Sequence, residues 1–201
     1  MPRFMILLFL GSILASRGTT GQQVRDPALR RELLEMARAD EQVRDALLST
    51  LSPDQPMDSL AVAQANIFDA ANVKRMKQII KEHGWPGKTL VGEDGSNAAF
   101  LLVQNAAEDT AFQREVLALL RRAFRLGEVA GQDLAVMTDR VRLKEGLKQL
   151  YGTQAKPVAD SLVVDPIENE ELVDNRRASL GLIPLSEYLA VLRQVYGLKE
   201  R

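Results

Sequence analysis

Asn97-Ala-Ala-Phe-Leu-Leu-Val-Gln-Asn-Ala-Ala107 is the stretch of this 201-residue chain that decides its fold. Its length suits a short helix, and nearly every position in it is apolar. A helix that is apolar on all sides is normally buried on all sides. The stretch therefore predicts a central helix, against which the remaining elements of the chain must pack.

Helical periodicity extends in both directions from this central segment. Apolar residues recur at intervals of three and four, and glycine or proline separates the segments. Residues 149–165 instead carry β-branched side chains, Gly152 and Pro157, which favours short strands. We predict a mainly α fold, a single-domain helical bundle with a short β-hairpin or extended arm near residues 148–165. Predicted helices cover about residues 26–47, 58–82, 97–107, 109–126, 132–147, 169–180 and 184–196, with a turn at 92–96.

The composition is that of an ordinary globular protein and narrows the classes of function. The formal net charge is −1, so the chain has no excess of positive charge with which to neutralise the phosphates of a nucleic acid. No nucleic-acid partner is therefore expected. There is no cysteine, and His83 is the sole histidine. Disulfides and thiolate chemistry are therefore excluded, and a zinc site would need an uncommon set of ligands. We expect neither a metal nor a cofactor.

The first residues of the chain predict its compartment. Met1-Pro-Arg3 is a short basic start, and Phe4–Leu14 is an apolar run of 11 residues. That length fits the core of a signal peptide and is short for a membrane span. We predict a signal peptide over residues 1–21, with an uncertain cleavage site, followed by one helical domain over 22–201. The protein is then secreted or periplasmic and makes no membrane contact after cleavage; an uncleaved anchor is the alternative.

Arg140 is a charged residue on an apolar helix face. Val136, Arg140, Leu143 and Leu147 follow one stripe of the helix, and Asp139 is adjacent. A buried arginine needs a carboxylate or several carbonyls, and Asp69 is the partner that we predict. The guanidinium then has one of two roles. It is structural, either in an ion pair or with its charged end in solvent, or it binds the carboxylate or phosphate of a ligand.

Amides and a tyrosine provide further candidate polar groups. Gln104 and Asn105 end the central helix, and buried amides need partners. Tyr151 and Gln154 lie in a segment interrupted by Gly152, where a ligand or another backbone often comes close. Read as extended, the segment points Gln154 to one face and Tyr151 to the other. A structural amide network and a simple hairpin irregularity remain the alternatives.

An ordered series of short motifs resembles a bacterial family of uncharacterised domains. The resemblance covers about residues 30–192 and implies no known activity. It also implies a histidine at the position of Asn105, and an asparagine there cannot exchange a proton near neutral pH. The motifs are Asp69…Asn72, Gly84-Trp85-Pro86, Val91-Gly92, Gln104-Asn105-Ala106, Asp139-Arg140, Gln149-x-Tyr151-Gly152-Thr153-Gln154, Pro166-Ile167, Val173-Asp174-x-Arg176-Arg177 and Gly181-Leu182-x-Pro184-Leu185.

The leading functional hypothesis is a binding or interaction module that takes a small anionic ligand or another protein. The alternative is a hydrolase-like enzyme, in which Asp69 or Asp139 is the base and Arg140 stabilises charge; no catalytic residue is assigned. A third hypothesis is a purely structural polar core. The predicted ligand-binding residues are Asp69, Asn105, Asp139, Arg140, Tyr151 and Gln154.

Overall fold

The computed structural model describes residues 24–50, 58–106 and 109–198. The predicted signal peptide lies outside these residues. Within them, no helix has both the length and the apolar character needed to cross a membrane.

The described residues form a mainly α fold with one small β-hairpin, as the sequence predicts. A short 3-10 helix at Glu170–Leu172 precedes the sixth α-helix. The α-helices are α1 (Pro27–Ser49), α2 (Ser59–His83), α3 (Lys88–Asn105), α4 (Thr110–Arg125), α5 (Gly131–Lys144), α6 (Val173–Ser179) and α7 (Leu185–Val195). The strands are β1 (Ala155–Val158) and β2 (Ser161–Val164).

α3 is the central helix that its apolar sequence predicts. Ala99, Phe100 and Val103 have no exposed surface. α1 and α2 pack against α3 and against each other, while α4 packs mainly on α5 and also contacts α3. Most of the apolar part of α3 is buried, although Asn97 is exposed and Leu101 and Asn105 are partly exposed, and this burial stabilises the bundle.

The predicted turn at residues 92–96 is wrong, because the helix extends through it. α3 begins at Lys88 and is interrupted only at Gly92, where φ is 77° and ψ is 168°. A left-handed φ of this size favours glycine. Beyond Gly92 the polar residues form a helical turn, in which Asp94 accepts a hydrogen bond from the Gly95 amide and forms an ion pair with Arg30.

The hairpin lies inside the segment predicted for it. β1 and β2 are antiparallel, with Ala155 opposite Val164 and Val158 opposite Ser161. Residues 149–154, in contrast, are a loop and not an extended strand, and Gly152 has a φ of 68°. The prediction of alternating faces for Tyr151 and Gln154 was therefore wrong. This loop passes over α5, where it meets Asp139.

Candidate functional site

The C-terminal end of α3 is buried and is capped by side chains from two other helices. The last carbonyls of a helix have no partner within it and must find one elsewhere. Gln113 of α4 donates from Nε2 to the carbonyls of Val103 and Gln104, at 3.3 Å each. Arg140 of α5 donates from Nη1 to the same Gln104 carbonyl. The end of α3 is thus fixed against α4 and α5.

Arg140 carries a buried charge that no described carboxylate neutralises. The residue is 9% exposed, and this burial lowers the pKa of the guanidinium to about 10. Within residues 24–50, 58–106 and 109–198, no carboxylate lies at ion-pair distance from it, and its buried Nε has no hydrogen-bond partner. The predicted pairing with Asp69 was wrong, since Asp69 pairs with Arg44.

In two other arginines of this protein, the edge formed by Nε and Nη2 is the one that binds a carboxylate. Arg30 holds Asp94 through Nε at 2.9 Å and Nη2 at 2.6 Å, and Arg75 holds Glu32 through the same two nitrogens. In Arg140, Nη1 is bonded to the Gln104 carbonyl, while the buried Nε, which lies on the same edge as Nη2, makes no hydrogen bond within the described parts of the chain. This edge has the geometry for bidentate recognition of a carboxylate or phosphate.

Asp139, next to Arg140 in the chain, organises the 149–154 loop. Its carboxylate accepts from the amides of Leu150 at 2.6 Å, Tyr151 at 3.1 Å and Thr153 at 3.0 Å, and from the Thr153 hydroxyl at 2.9 Å. Burial raises the pKa of Asp139, and the four hydrogen bonds oppose that rise. A carboxylate with this many donors is a structural anchor for the loop.

Arg177, which is not among the predicted site residues, also holds the loop. Its side chain is fully buried and donates to the carbonyls of Tyr151 and Ile183, at 2.7 Å each. The guanidinium also stacks on the ring of Tyr188, 4.8 Å from the centroid. The Tyr188 hydroxyl donates to the Thr153 carbonyl at 3.2 Å. The loop is therefore fixed from both α5 and the C-terminal helices.

Gln154 adds a hydrogen bond within the loop that Asp139 and Arg177 hold, and its own side-chain oxygen accepts none. The residue has no exposed surface, and its Nε2 donates to the Thr153 hydroxyl oxygen at 2.9 Å. Its Oε1 has no hydrogen-bond partner, which is also true of Gln104 Oε1. Tyr151 is half-buried beside this network. Of the predicted site residues, Asp139, Arg140, Tyr151 and Gln154 thus lie on α5 and the loop bound to it.

The two remaining predicted residues belong to a second group, which we call the Asp40 cluster. Asp40 is 1% exposed and accepts from Asn105 Nδ2 at 2.7 Å and from Asn72 Nδ2 at 3.3 Å. Arg44 lies between Asp40, at 3.5 Å, and Asp69, with which it forms an ion pair. The cluster consists of Asp40, Arg44, Asp69, Asn72 and Asn105.

Asp69 is the titratable residue at the more exposed edge of the Asp40 cluster. Burial raises its pKa to about 6; the Asp40 charge contributes to the rise, and Arg44 opposes it. Its side chain is 22% exposed, against 2% for Asp40. The consecutive residues Gln104 and Asn105 connect the cluster to Arg140, because one accepts from Arg140 and the other donates to Asp40.

A comparison with protein-family models matches residues 27–201 to a family of unknown function, DUF6624. The chain belongs to this family. The predicted membership of an uncharacterised family is thereby confirmed, while its individual motifs and bacterial origin stay predictions. Comparison with curated proteins and with solved structures finds no match.

The described residues offer little to a metal ion. Among residues 24–50, 58–106 and 109–198, no three His, Cys, Asp or Glu side chains group closely enough to hold one. In the Asp40 cluster, an arginine already lies between the two carboxylates.

An open cleft of about 270 Å³ lies elsewhere, between the second half of α1 and the first half of α2. Ile67, on α2 beside it, is 72% exposed. None of the lining residues belongs to the Arg140 contacts or to the Asp40 cluster. They are Ala39, Gln42, Val43, Ala46, Leu47, Ala61, Gln64 and Phe68.

Proposed function

We propose that this chain is an exported binding domain that takes a small anionic ligand at Arg140. One observation carries the proposal: a buried guanidinium that no described carboxylate neutralises and whose buried Nε has no partner in the described residues. Burying a charge without a counter-charge or several acceptors is costly. Arg177 also has no carboxylate at ion-pair distance within the described residues, but it donates to two carbonyls and stacks on the Tyr188 ring, whereas Arg140 donates to one carbonyl. An anion at the Nε and Nη2 edge of Arg140 supplies both the missing charge and the missing acceptors.

Capping of α3 does not by itself account for the charge of Arg140. The Gln104 carbonyl also accepts from Gln113, a neutral side chain. Without Arg140 that carbonyl keeps one partner, and the helix end stays satisfied. The positive charge of Arg140 is therefore available for recognition of a ligand.

A second candidate function is a hydrolase-like enzyme, and one observation favours Asp69 over Asp139 as its base. All acceptor capacity of Asp139 goes to the loop, whereas Asp69 is partly exposed and has a pKa of about 6. A base with a pKa near neutrality is suited to proton transfer. Arg44 is then the residue that stabilises charge, since it contacts Asp69.

Anion binding is tested by thermal melting of the mature chain with sulfate, phosphate and acetate at constant ionic strength. A bound anion stabilises the folded state by mass action, by about 2.7 kcal/mol at a hundred times its Kd. We expect Arg140→Met to abolish this stabilisation. Arg142→Met is the matched control, because Arg142 lies on the same helix but pairs with Glu168. Equal stabilisation of Arg140→Met and the parent contradicts the proposal.

Asp69→Asn separates the two candidate functions. The binding proposal requires the charge of Arg140 and not that of Asp69, so this variant should keep the anion-dependent rise in melting temperature. An enzyme that uses Asp69 as its base also keeps anion binding in this variant but loses turnover, so turnover, and not the melting temperature, is the measurement that separates the two.

Export rests on the basic start and the apolar run Phe4–Leu14. Fractionation of expressing cells, followed by intact-mass measurement, tests it. We expect the protein outside the cytoplasm, shortened by about 21 residues, a length within the usual range for signal peptides. A full-length chain in the cytoplasm contradicts export.

A further inference from the structure

The buried polar atoms left without a hydrogen bond on Arg140, on the end of α3 and in the loop beside α5 include both donors and acceptors. Arg140 Nε is a donor without a partner, and the Oε1 atoms of Gln104, Gln113 and Gln154 are acceptors without one. Gln104 is 2% exposed and Gln154 is fully buried. Buried polar groups are normally hydrogen-bonded, and each that is not requires an explanation. A simple anion without hydrogens satisfies the donor and leaves the acceptors unbonded.

Gln104 and Gln154 are both connected to α5, the first directly and the second through Thr153. Gln104 provides the carbonyl to which Arg140 donates. Gln154 donates to the Thr153 hydroxyl oxygen, and that hydroxyl donates to Asp139, the residue next to Arg140 in the chain. One glutamine thus contacts Arg140 from α3, and the other is linked to the same turn of α5 from the loop.

We propose that the ligand is a small carboxylate with a hydroxyl or ammonium group on the adjacent carbon. This inference rests on the proposed function. The carboxylate binds the Nε and Nη2 edge of Arg140, as Asp94 binds that of Arg30. The hydroxyl or ammonium donates to the side-chain oxygen of Gln104 or Gln154, with Gln104 the first choice because its main-chain carbonyl accepts from Arg140. A site that contains an unused buried acceptor discriminates against analogues that lack the donor.

Glycolate and acetate are the probes that test this ligand class, since they differ by one hydroxyl group and are both ionised at neutral pH. Titration calorimetry on the mature chain should show that glycolate binds about tenfold more tightly than acetate, or ~1.4 kcal/mol. In Gln104→Met the preference should fall below about threefold while acetate affinity is retained, because only the acceptor has been removed. Arg140→Met should bind neither anion.

The outcomes distinguish this inference from the proposed function. If acetate and glycolate bind the parent equally and both need Arg140, the ligand class is wrong and the anion site stands. If neither binds the parent, the anion site itself is contradicted. Gln154→Met is the second variant in case Gln104→Met unfolds. Full preference for glycolate in both glutamine variants also overturns the inference.

Discussion

Replacing Asp139 with alanine should destabilise the protein by about 4 kcal/mol or more, enough to unfold a marginally stable chain. The carboxylate accepts from three backbone amides and one hydroxyl in a fully buried place. Alanine removes all four acceptor contacts and leaves the amides of Leu150, Tyr151 and Thr153 without partners. Each buried donor left unsatisfied costs about 1–3 kcal/mol. Urea unfolding gives the difference directly.

Asp139→Asn provides a graded variant and Asp160→Ala the control. Asparagine keeps one acceptor oxygen, so we expect it to cost about half as much as alanine. Asp160 is exposed in the turn of the hairpin, and its replacement should change the unfolding free energy by less than about 0.5 kcal/mol. An Asp139→Ala protein within about 1 kcal/mol of the parent means that the loop does not depend on this carboxylate.

The unfolding free energy should be about 2–4 kcal/mol larger at about pH 5 than at about pH 8, the reverse of the usual behaviour of carboxylates. Burial raises the pKa of Asp133 to about 7 and that of Asp69 to about 6. Asp133 is 3% exposed, and its Oδ2 has no hydrogen-bond partner. Between the unfolded and folded pKa values the folded state binds more protons, so its stability falls as the pH rises through that window.

Urea unfolding at a series of pH values measures this dependence. Asp133→Asn should remove more than half of the difference, since a neutral amide has no proton to lose. Asp94→Asn is the control, because Arg30 lowers the pKa of this exposed carboxylate and it stays ionised throughout the range. If stability instead rises with pH in the parent, Asp133 is not protonated at acid pH in the folded state.

The fold was largely predictable because its decisive features are local in sequence. The apolar run in α3 specifies a central helix, and the β-branched residues around Pro157 specify the hairpin. The predicted turn at residues 92–96 failed for a local reason as well. One glycine interrupts α3 without ending it, and Asp94, which looked like a turn residue, pairs with Arg30 from the surface of the helix.

The candidate site was only partly predictable, because pairing between helices is not encoded in the spacing along one of them. Spacing identified Arg140 on an apolar stripe and Asp139 beside it, and both are buried. Spacing did not identify which carboxylate pairs with which arginine, and Asp69 forms its ion pair with Arg44 and not with Arg140. The choice depends on how α1 and α2 pack against α3, which arises only in the folded chain.

Two residues that were missed do carry a sequence signal. Asp40 lies seven residues from both Leu33 and Leu47 on the buried face of α1, so it interrupts an apolar stripe as Arg140 does. Arg177 follows the buried Val173 by four residues on α6. Charged residues at core positions of a helix are therefore the pattern that marks the polar network of this protein.

Urea unfolding of the mature parent and of Arg140→Met, without added anions, tests most directly whether Arg140 is kept for a ligand. Methionine retains the apolar stem and removes the charge. We predict that the unfolding free energy of the variant is no more than about 1 kcal/mol below that of the parent. No carboxylate in the described residues loses a partner, and Gln113 still caps α3. A loss of about 3 kcal/mol or more means that the guanidinium stabilises the fold itself, which contradicts the account.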